Sequence, residues 1–379
     1  MDFRLPEEHE AFRKVVREFA EAEIAPHAAE WDRTHRFPLD VVHKIGELGL
    51  FGLIFPEDYG GSGADLLTLC IAIEELARVD SSMAITLEAG VSLGASPIYR
   101  FGTEEQKLRW LPDLAAGKTL GGFGLTEPDG GSDAGATRTK AEVDGDEWVI
   151  NGSKSFITNS GTEITSLITV TALTAPGEIS TIIVPAGTPG LEIEPAYRKM
   201  GWRASDTHGL RLEDCRVPVE NLLGEKGRGF HQFLSILDEG RVAIAAMSVG
   251  VAQACLEHSV DYAKERLAFG KPIGSNQGIA FKCADMEVAV EAARLLTYKA
   301  AWMRDNDEDI RHAAAVAKLY ASEAAVSATR EATQIFGGAG FMDETPVSRF
   351  YRDAKVLEIG EGTSEVQRLI ISRSLGLPV

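Results

Sequence analysis

The stretch GDEWVINGSKSFITNSG, residues 145–161, separates two long helical regions with a β-rich one. Aromatic and β-branched residues flank Asn151-Gly152, and Asn-Gly favours the type I′ turn because both central positions need positive φ. The spacing predicts a hairpin turning at Asn151-Gly152. SLITVTAL, STIIVPAG and GLEIEPA then read as short strands bounded by Gly, Pro and Ser. Closely spaced short strands over 121–222 predict a small barrel or sandwich.

Outward from this segment the texture is helical. Residues 1–120 hold PEEHEAFRKVVREFAEAEIAP, PLDVVHKIGELGL and LLTLCIAIEELARVD, each with apolar residues at helical spacing. Beyond 222 the helical segments lengthen, over 241–266, 276–304 and 309–336. All three are Ala-rich and predict a bundle. The expected fold is mixed α and β, mostly α. It has an N-terminal helical domain (1–120), a middle β-barrel domain (121–222) and a C-terminal four-helix bundle (223–379). Strand and helix do not alternate as in a dinucleotide-binding sheet.

The 379 residues carry a formal net charge of −19. That balance argues against nucleic acid and against anionic membrane surfaces as partners. Four scattered cysteines show no metal spacing, so no metal is expected. The acidic N-terminus MDFRLPEEHEAFRKVV lacks the apolar core of a signal peptide. The longest apolar run, VAIAAMSVGVAQACL (242–256), is too short to span a bilayer. A cytoplasmic protein is expected. No phosphate-binding loop, HExxH helix or GxSxG elbow is present.

Glu361 lies between two glycines in LEIGEGTSEVQRL (357–369), just before an amphipathic helix. Glycine there frees the backbone to approach something closely. Taken alone, the segment reads first as a capped helix start with an acid near the dipole.

Five motifs occur in order over nearly the whole chain: LTEPDGGSD (125–133), INGSKSFITN (150–159), ERLAFGKPI (265–273), QIFGGAGF (334–341) and GEGTSEVQR (360–368). With them the chain resembles the acyl-CoA dehydrogenase family, whose fold is the helical–β–helical order read above. The resemblance implies FAD-dependent α,β-dehydrogenation of an acyl-CoA thioester to a trans-2-enoyl-CoA. Glu361 would take the α-proton while the β-hydrogen leaves as hydride to the flavin. The thioester oxygen, where charge develops, would be held by the Glu361 N–H and a flavin hydroxyl. Gly240 stands where some relatives place the catalytic Glu.

The resemblance also implies the binding residues. Phe123, Leu125, Thr126 and Ser132 match the segment lining the flavin ring. Phe156 and Thr158 match its flanking strand, with Phe in place of the usual Trp. Arg266, Phe269, Gln277, Gln334, Gly337 and Gly338 match contacts to the FAD pyrophosphate and adenosine of a neighbouring subunit. Thr363 and Glu365 match the adenine-proximal end. For substrate, Ser132, Asp238, Arg241 and Gly362 match contacts to CoA and the thioester. A homo-oligomer, as a tetramer with FAD at subunit interfaces, and an electron-transfer flavoprotein as electron acceptor are implied. An oxidase of the same fold, or a catalytically idle CoA-binding scaffold, is the alternative.

Two positions bear on the acyl group. Gly360 replaces a frequent Tyr of relatives, which would widen the pocket and favour a short, branched or cyclic acyl chain. Glu88, in the segment matching the acyl end, reads as either solvent-exposed or placed beside a polar acyl tail.

Overall fold

A computed structural model describes residues 4–379. Asp65, Asp80 and Thr103 begin three of its helices by accepting the backbone N–H of Thr68, Met83 and Gln106, which satisfies donors that a helix start leaves free. The first region holds α1 (Glu7–Phe19), α2 (Ala28–Thr34), α3 (Leu39–Glu47), α4 (Leu66–Ala77), α5 (Ser81–Glu88), α6 (Ser96–Phe101) and α7 (Glu104–Ala115). Between α5 and α6 the chain widens into π-helix over Ala89–Ala95.

The strands follow as β1 (Leu120–Gly124), β2 (Lys140–Asp144), β3 (Glu147–Thr158), β4 (Thr165–Ala175), β5 (Glu178–Pro185), β6 (Leu191–Ile193), β7 (Thr207–Pro218) and β8 (Leu222–Leu223). They form one sheet in the order β6-β7-β3-β2-β4-β5-β8, with β1 parallel to β4. The sheet wraps its own apolar core, which includes Trp148, Ile150, Ile157, Val170, Ile182 and Leu212. Its end strands, β6 and β8, do not pair with each other.

The hairpin expected at Asn151-Gly152 is not there. β3 runs straight through those residues, and the turn falls at Gly145-Asp146, where Asp144 pairs with Glu147. Asn151-Gly152 instead marks a bulge against β7. The glycine is needed for close approach, since a Cβ there would meet the Thr139 Oγ1 at 2.4 Å. The Asn151 side chain accepts the Asp214 N–H across the bulge.

The chain then returns to helix: α8 (Gly229–Glu265), the short pair β9 (Leu267–Ala268) and β10 (Lys271–Pro272), α9 (Gln277–Asp305), α10 (Arg311–Phe336), α11 (Pro346–Ala354) and α12 (Ser364–Ser374). α8 starts twelve residues before the sequence pattern placed it. The first and last helical regions share one apolar core, running from Val16 through the middle of α8 to Leu357. Small residues let α4 and α8 touch: a Cβ on Gly250 would lie 2.2 Å from the Glu74 carbonyl oxygen. None of the described helices is long and apolar enough to cross a membrane.

One buried carboxylate ties all three regions together. Asp353 on α11 accepts the Ser81 hydroxyl at 2.8 Å and the Trp202 N–H at 2.7 Å. Gly201 lets that loop lie on α11, because a Cβ there would meet the Arg352 carbonyl oxygen at 2.5 Å. Replacing Asp353 with Leu strands two buried donors. Stability in urea should fall by about 2–4 kcal/mol, and Asp353→Asn, which keeps an acceptor, should lose less.

Candidate active site

Glu361 occupies the left-handed region at φ 53°, with Gly362 beside it at φ 95°. A non-glycine residue held there costs about 1–3 kcal/mol, so the surroundings must enforce it. They do so through carbonyls. Lys318 Nζ donates to the Gly362 oxygen at 2.8 Å, and Gln367 Nε2 donates to the same oxygen at 2.8 Å. Gln367 and Arg241 Nε also reach the Glu361 oxygen, each at 3.4 Å. Thr363 then caps α12 by accepting the Val366 N–H. The capped helix start read from sequence is therefore real, and the same turn presents Glu361. Among the described residues the Glu361 N–H donates to no group of the chain.

The carboxylate itself has no such support. Both oxygens are buried and neither accepts a hydrogen bond from a fixed donor. Burial pushes the carboxyl up to about 7, against the pull of Glu88, Arg241 and Lys318. It rests directly over Gly240, where a Cβ would fall 2.0 Å from Oε2. Arg241 is drawn aside by Asp238 at 2.6 Å. Burial pushes the Lys318 ammonium down to about 8.

α8 links this carboxylate to an apolar wall. Phe233, Leu237 and Gly240 recur at helical spacing on one face. Phe233 stacks on Phe123 of β1 with centroids 3.8 Å apart, and Ile236, Leu237, Leu93 and Leu125 complete the cluster. β1 lies tight against the π-helical segment because Gly94 and Gly121 meet backbone to backbone. Single π-turns of this kind often occur at functional sites.

The sheet presents a second aromatic. Phe156 sits at φ 62° on a bulge of β3, two-thirds exposed, with Tyr197 5.2 Å away. Thr158 follows it, paired with Thr207. The loop after β1, with Thr126, is fixed by a buried pair: Lys154 Nζ meets Glu127 at 2.7 Å, and Glu127 accepts the Arg138 and Thr139 N–H groups. Ser132 lies exposed on that loop. An exposed flat ring held in strained backbone fits a planar cofactor stacked beside Thr158.

The remaining sequence-matched residues fall elsewhere. Arg266 caps α8, Phe269 is fully exposed, and Gln277, Gln334, Gly337 and Gly338 are exposed at the same end. Tyr262 stacking on Phe336 brings these helix ends together. From Arg241 to Arg266 the helix rises about 37 Å at 1.5 Å per residue. Glu365 is exposed in the first turn of α12. One chain thus brings together Glu361, Gly362, Thr363, Asp238, Arg241 and the β1–β3 wall, but not the Arg266 group.

Sequence reading missed Lys318, Gln367, Lys154 and Glu127. Gln367, Lys154 and Glu127 stand inside the quoted motifs, which was the available signal. Lys318 lies mid-helix in AVAKLYAS with none. The exposed reading of Glu88 is overturned: it is wholly buried and faces Glu361.

A buried carboxylate without a fixed donor, beside an aromatic wall, is an arrangement that suits a general base. The chain belongs to the acyl-CoA dehydrogenase family: its N-terminal, middle and C-terminal domain models match residues 6–118, 122–215 and 227–376. It is 53% identical to the probable acyl-CoA dehydrogenase YngJ of Bacillus subtilis, over 99% of this chain and 100% of that protein. It superposes on butyryl-CoA dehydrogenase from Megasphaera elsdenii with a TM-score of 0.96 at 43% identity, covering 99% and 100% of the two chains. An acyl-CoA dehydrogenase complexed with FAD from Bacillus anthracis matches with a TM-score of 0.93 at 34% identity, over 98% of this chain and 67% of that one. The protein is accordingly an oxidoreductase with FAD as cofactor.

Gly240→Ala puts a methyl where the Glu361 carboxylate lies. Acyl-CoA turnover should fall about 10–100-fold while bound FAD, read from the flavin absorbance, stays at the parent level.

Proposed function

We propose that the chain oxidises a short, branched or cyclic acyl-CoA at its α,β carbon–carbon bond, giving the trans-2-enoyl-CoA, with Glu361 as the base. The observation that carries this is the pair of Glu361 oxygens, buried above Gly240 with no fixed donor among the described residues, which also leave the residue's own N–H unused. A thioester whose oxygen meets that N–H would bring its α-carbon to the carboxylate. The N–H would then stabilise the charge that develops on the oxygen as the proton leaves. The α-proton passes to a Glu361 oxygen, and the electron pair of the broken α C–H bond forms the new double bond as the β-hydrogen leaves. Bound FAD supplies the acceptor for the β-hydrogen, which departs as hydride. Arg241 and Lys318 hold positive charge near the carboxylate and keep part of it ionised at neutral pH.

Phe123, Leu125, Thr126, Phe156 and Thr158 would hold the flavin ring, with Ser132 on the adjoining loop reaching CoA. Asp238 orients Arg241 towards the substrate end of α8. Arg266, Phe269, Gln277, Gln334, Gly337 and Gly338 would serve the FAD of another copy, with Thr363 and Glu365 at the adenine-proximal end. The roughly 37 Å along α8 between the two groups supports this division. Phe281, Val288, Leu295 and Trp302 recur every seven residues on α9 and are all about half or more exposed, an apolar row that a second copy would cover. A homo-oligomer, with four copies the number the resemblance implies, follows. An electron-transfer flavoprotein would take the electrons onward, in the cytoplasm.

The Phe123–Phe233 stack and buried Glu88 would close the acyl end of the site, which supports a short chain. A Cβ on Gly360 would make one ordinary contact, with the Val356 oxygen at 3.5 Å, so the glycine leaves room that a ring would fill, which supports added width. The similarity to butyryl-CoA dehydrogenase points the same way.

Glu361→Gln should lower the rate of flavin bleaching by butyryl-CoA about 10²–10⁴-fold and leave binding largely intact, in stopped-flow absorbance. The base works only when ionised, and burial raises it. In the parent, kcat/KM should therefore climb with pH through about 7, not through the usual carboxylate range. Steady-state rates across butyryl-, isobutyryl-, 2-methylbutyryl-, cyclohexanecarbonyl- and octanoyl-CoA should peak among the first four. An octanoyl optimum would refute the short-chain reading.

A further inference from the structure

Glu88 is the last residue of α5, at the point where the helix widens into the π-segment. It is wholly buried, and no fixed donor serves either of its oxygens. The partner it does face is the Glu361 carboxyl, with the Ser92 hydroxyl one turn on. The charged groups around the pair come from two other helices. Arg241, with Asp238 behind it, approaches Glu361 from α8, and Lys318 approaches it from α10 with Glu358 and Glu365 beyond. Their charge bears on Glu361, whereas Glu88 is raised by burial and by Glu361 itself.

Two carboxylates cannot lie together in a dry pocket without a proton between them. The cations sit on the Glu361 side, so the proton belongs to Glu88. Ser92 can donate its own hydroxyl proton to Glu88, which leaves the Glu88 O–H free to point at the charged neighbour, the stronger acceptor. We propose that Glu88 is a positioning residue for the base: its protonated carboxyl donates a hydrogen bond to the Glu361 carboxylate and fixes it over Gly240 in the substrate-free enzyme. The inference rests on the reading of Glu361 as the base. The proton on Glu88 stays there throughout, and the one that moves in the reaction is the substrate's.

The pH dependence of kcat/KM reports ionisation in the free enzyme, the state in which the two carboxyls meet. Glu88→Leu removes the donor at similar volume. The acidic limb of its kcat/KM profile for butyryl-CoA should move up by about one pH unit. That is roughly a tenfold loss below the limb, with near-parent values well above it. Glu88→Gln keeps an N–H donor and should leave the limb close to the parent's. A purely structural role would lower both variants equally at every pH. A Glu88→Leu limb at the parent position, or a Glu88→Gln limb displaced as far as that of Glu88→Leu, would overturn the proposal.

Infrared spectra of the substrate-free FAD holoenzyme supply a second readout, free of any need for Glu88→Leu to fold. The parent should show a protonated-carboxyl band that Glu88→Gln lacks and Glu361→Gln keeps at a shifted frequency. Identical carboxyl bands in the parent and Glu88→Gln would also overturn it. If Glu361→Gln retains turnover, the base assignment itself fails. If Glu361→Gln is inactive while the Glu88 variants behave as the parent, the role of Glu88 alone fails.

Discussion

The structure is organised around the cost of keeping one carboxylate dry. Water solvates an ionised carboxylate by many kcal/mol, and a protein that removes the water must replace it or shift the group towards its neutral form. Here the fixed donors go elsewhere. Lys318 and Gln367 spend their N–H groups on the carbonyls of residues 361 and 362, not on the carboxylate. The backbone is clamped while the side chain receives no N–H donor. That division suits a base, because a carboxylate saturated with hydrogen bonds is a poor proton acceptor.

Holding such a turn requires stiff neighbours. Gly240, Arg241 and Lys318 all stand on helices whose middles are core, α8 and α10. Alanine-rich faces let these helices approach closely, and Gly250 does the same for α4. Small residues along α8 therefore fix the height at which Gly240 meets Glu361. The sheet is brought to the same place by Gly94 against Gly121, while Asp353 pins the loop at Trp202 to α5 and α11. The aromatic wall and the carboxylate come from separate regions of sequence, and their relative position depends on these few contacts.

What could be read from the sequence follows from which forces are local. Helical periodicity is local, so α9 and α10 end within about two residues of their expected limits, where capping leaves the ends soft. α8 was under-read at its start, because Gly229–Gly240 contains two glycines and aromatic residues that weaken the pattern. Asn151-Gly152 misled because a dipeptide that allows positive φ also allows close packing, and Thr139 decides between the two. Glu361 was legible only through its motif. Glu88 was legible only as a member of the segment matching the acyl end, and Lys318 not at all, since burying a charge is a tertiary event that no spacing announces.

The separation of the Arg266 group from Glu361 has a physical logic of its own. A helix of 37 residues is the longest rigid element in the chain, with its two ends far apart. The Glu361 end is enclosed by the sheet and by α5, α10 and α12. The Arg266 end is open: Phe269 is fully exposed and Phe341 nearly so. Aromatic rings left in water at a basic, glycine-rich end are costly for a lone chain. On the proposed assembly a second copy would bring an anionic, ring-bearing cofactor against them. Cofactor binding and self-association would then be one equilibrium, with FAD occupancy rising with protein concentration in dilute solution.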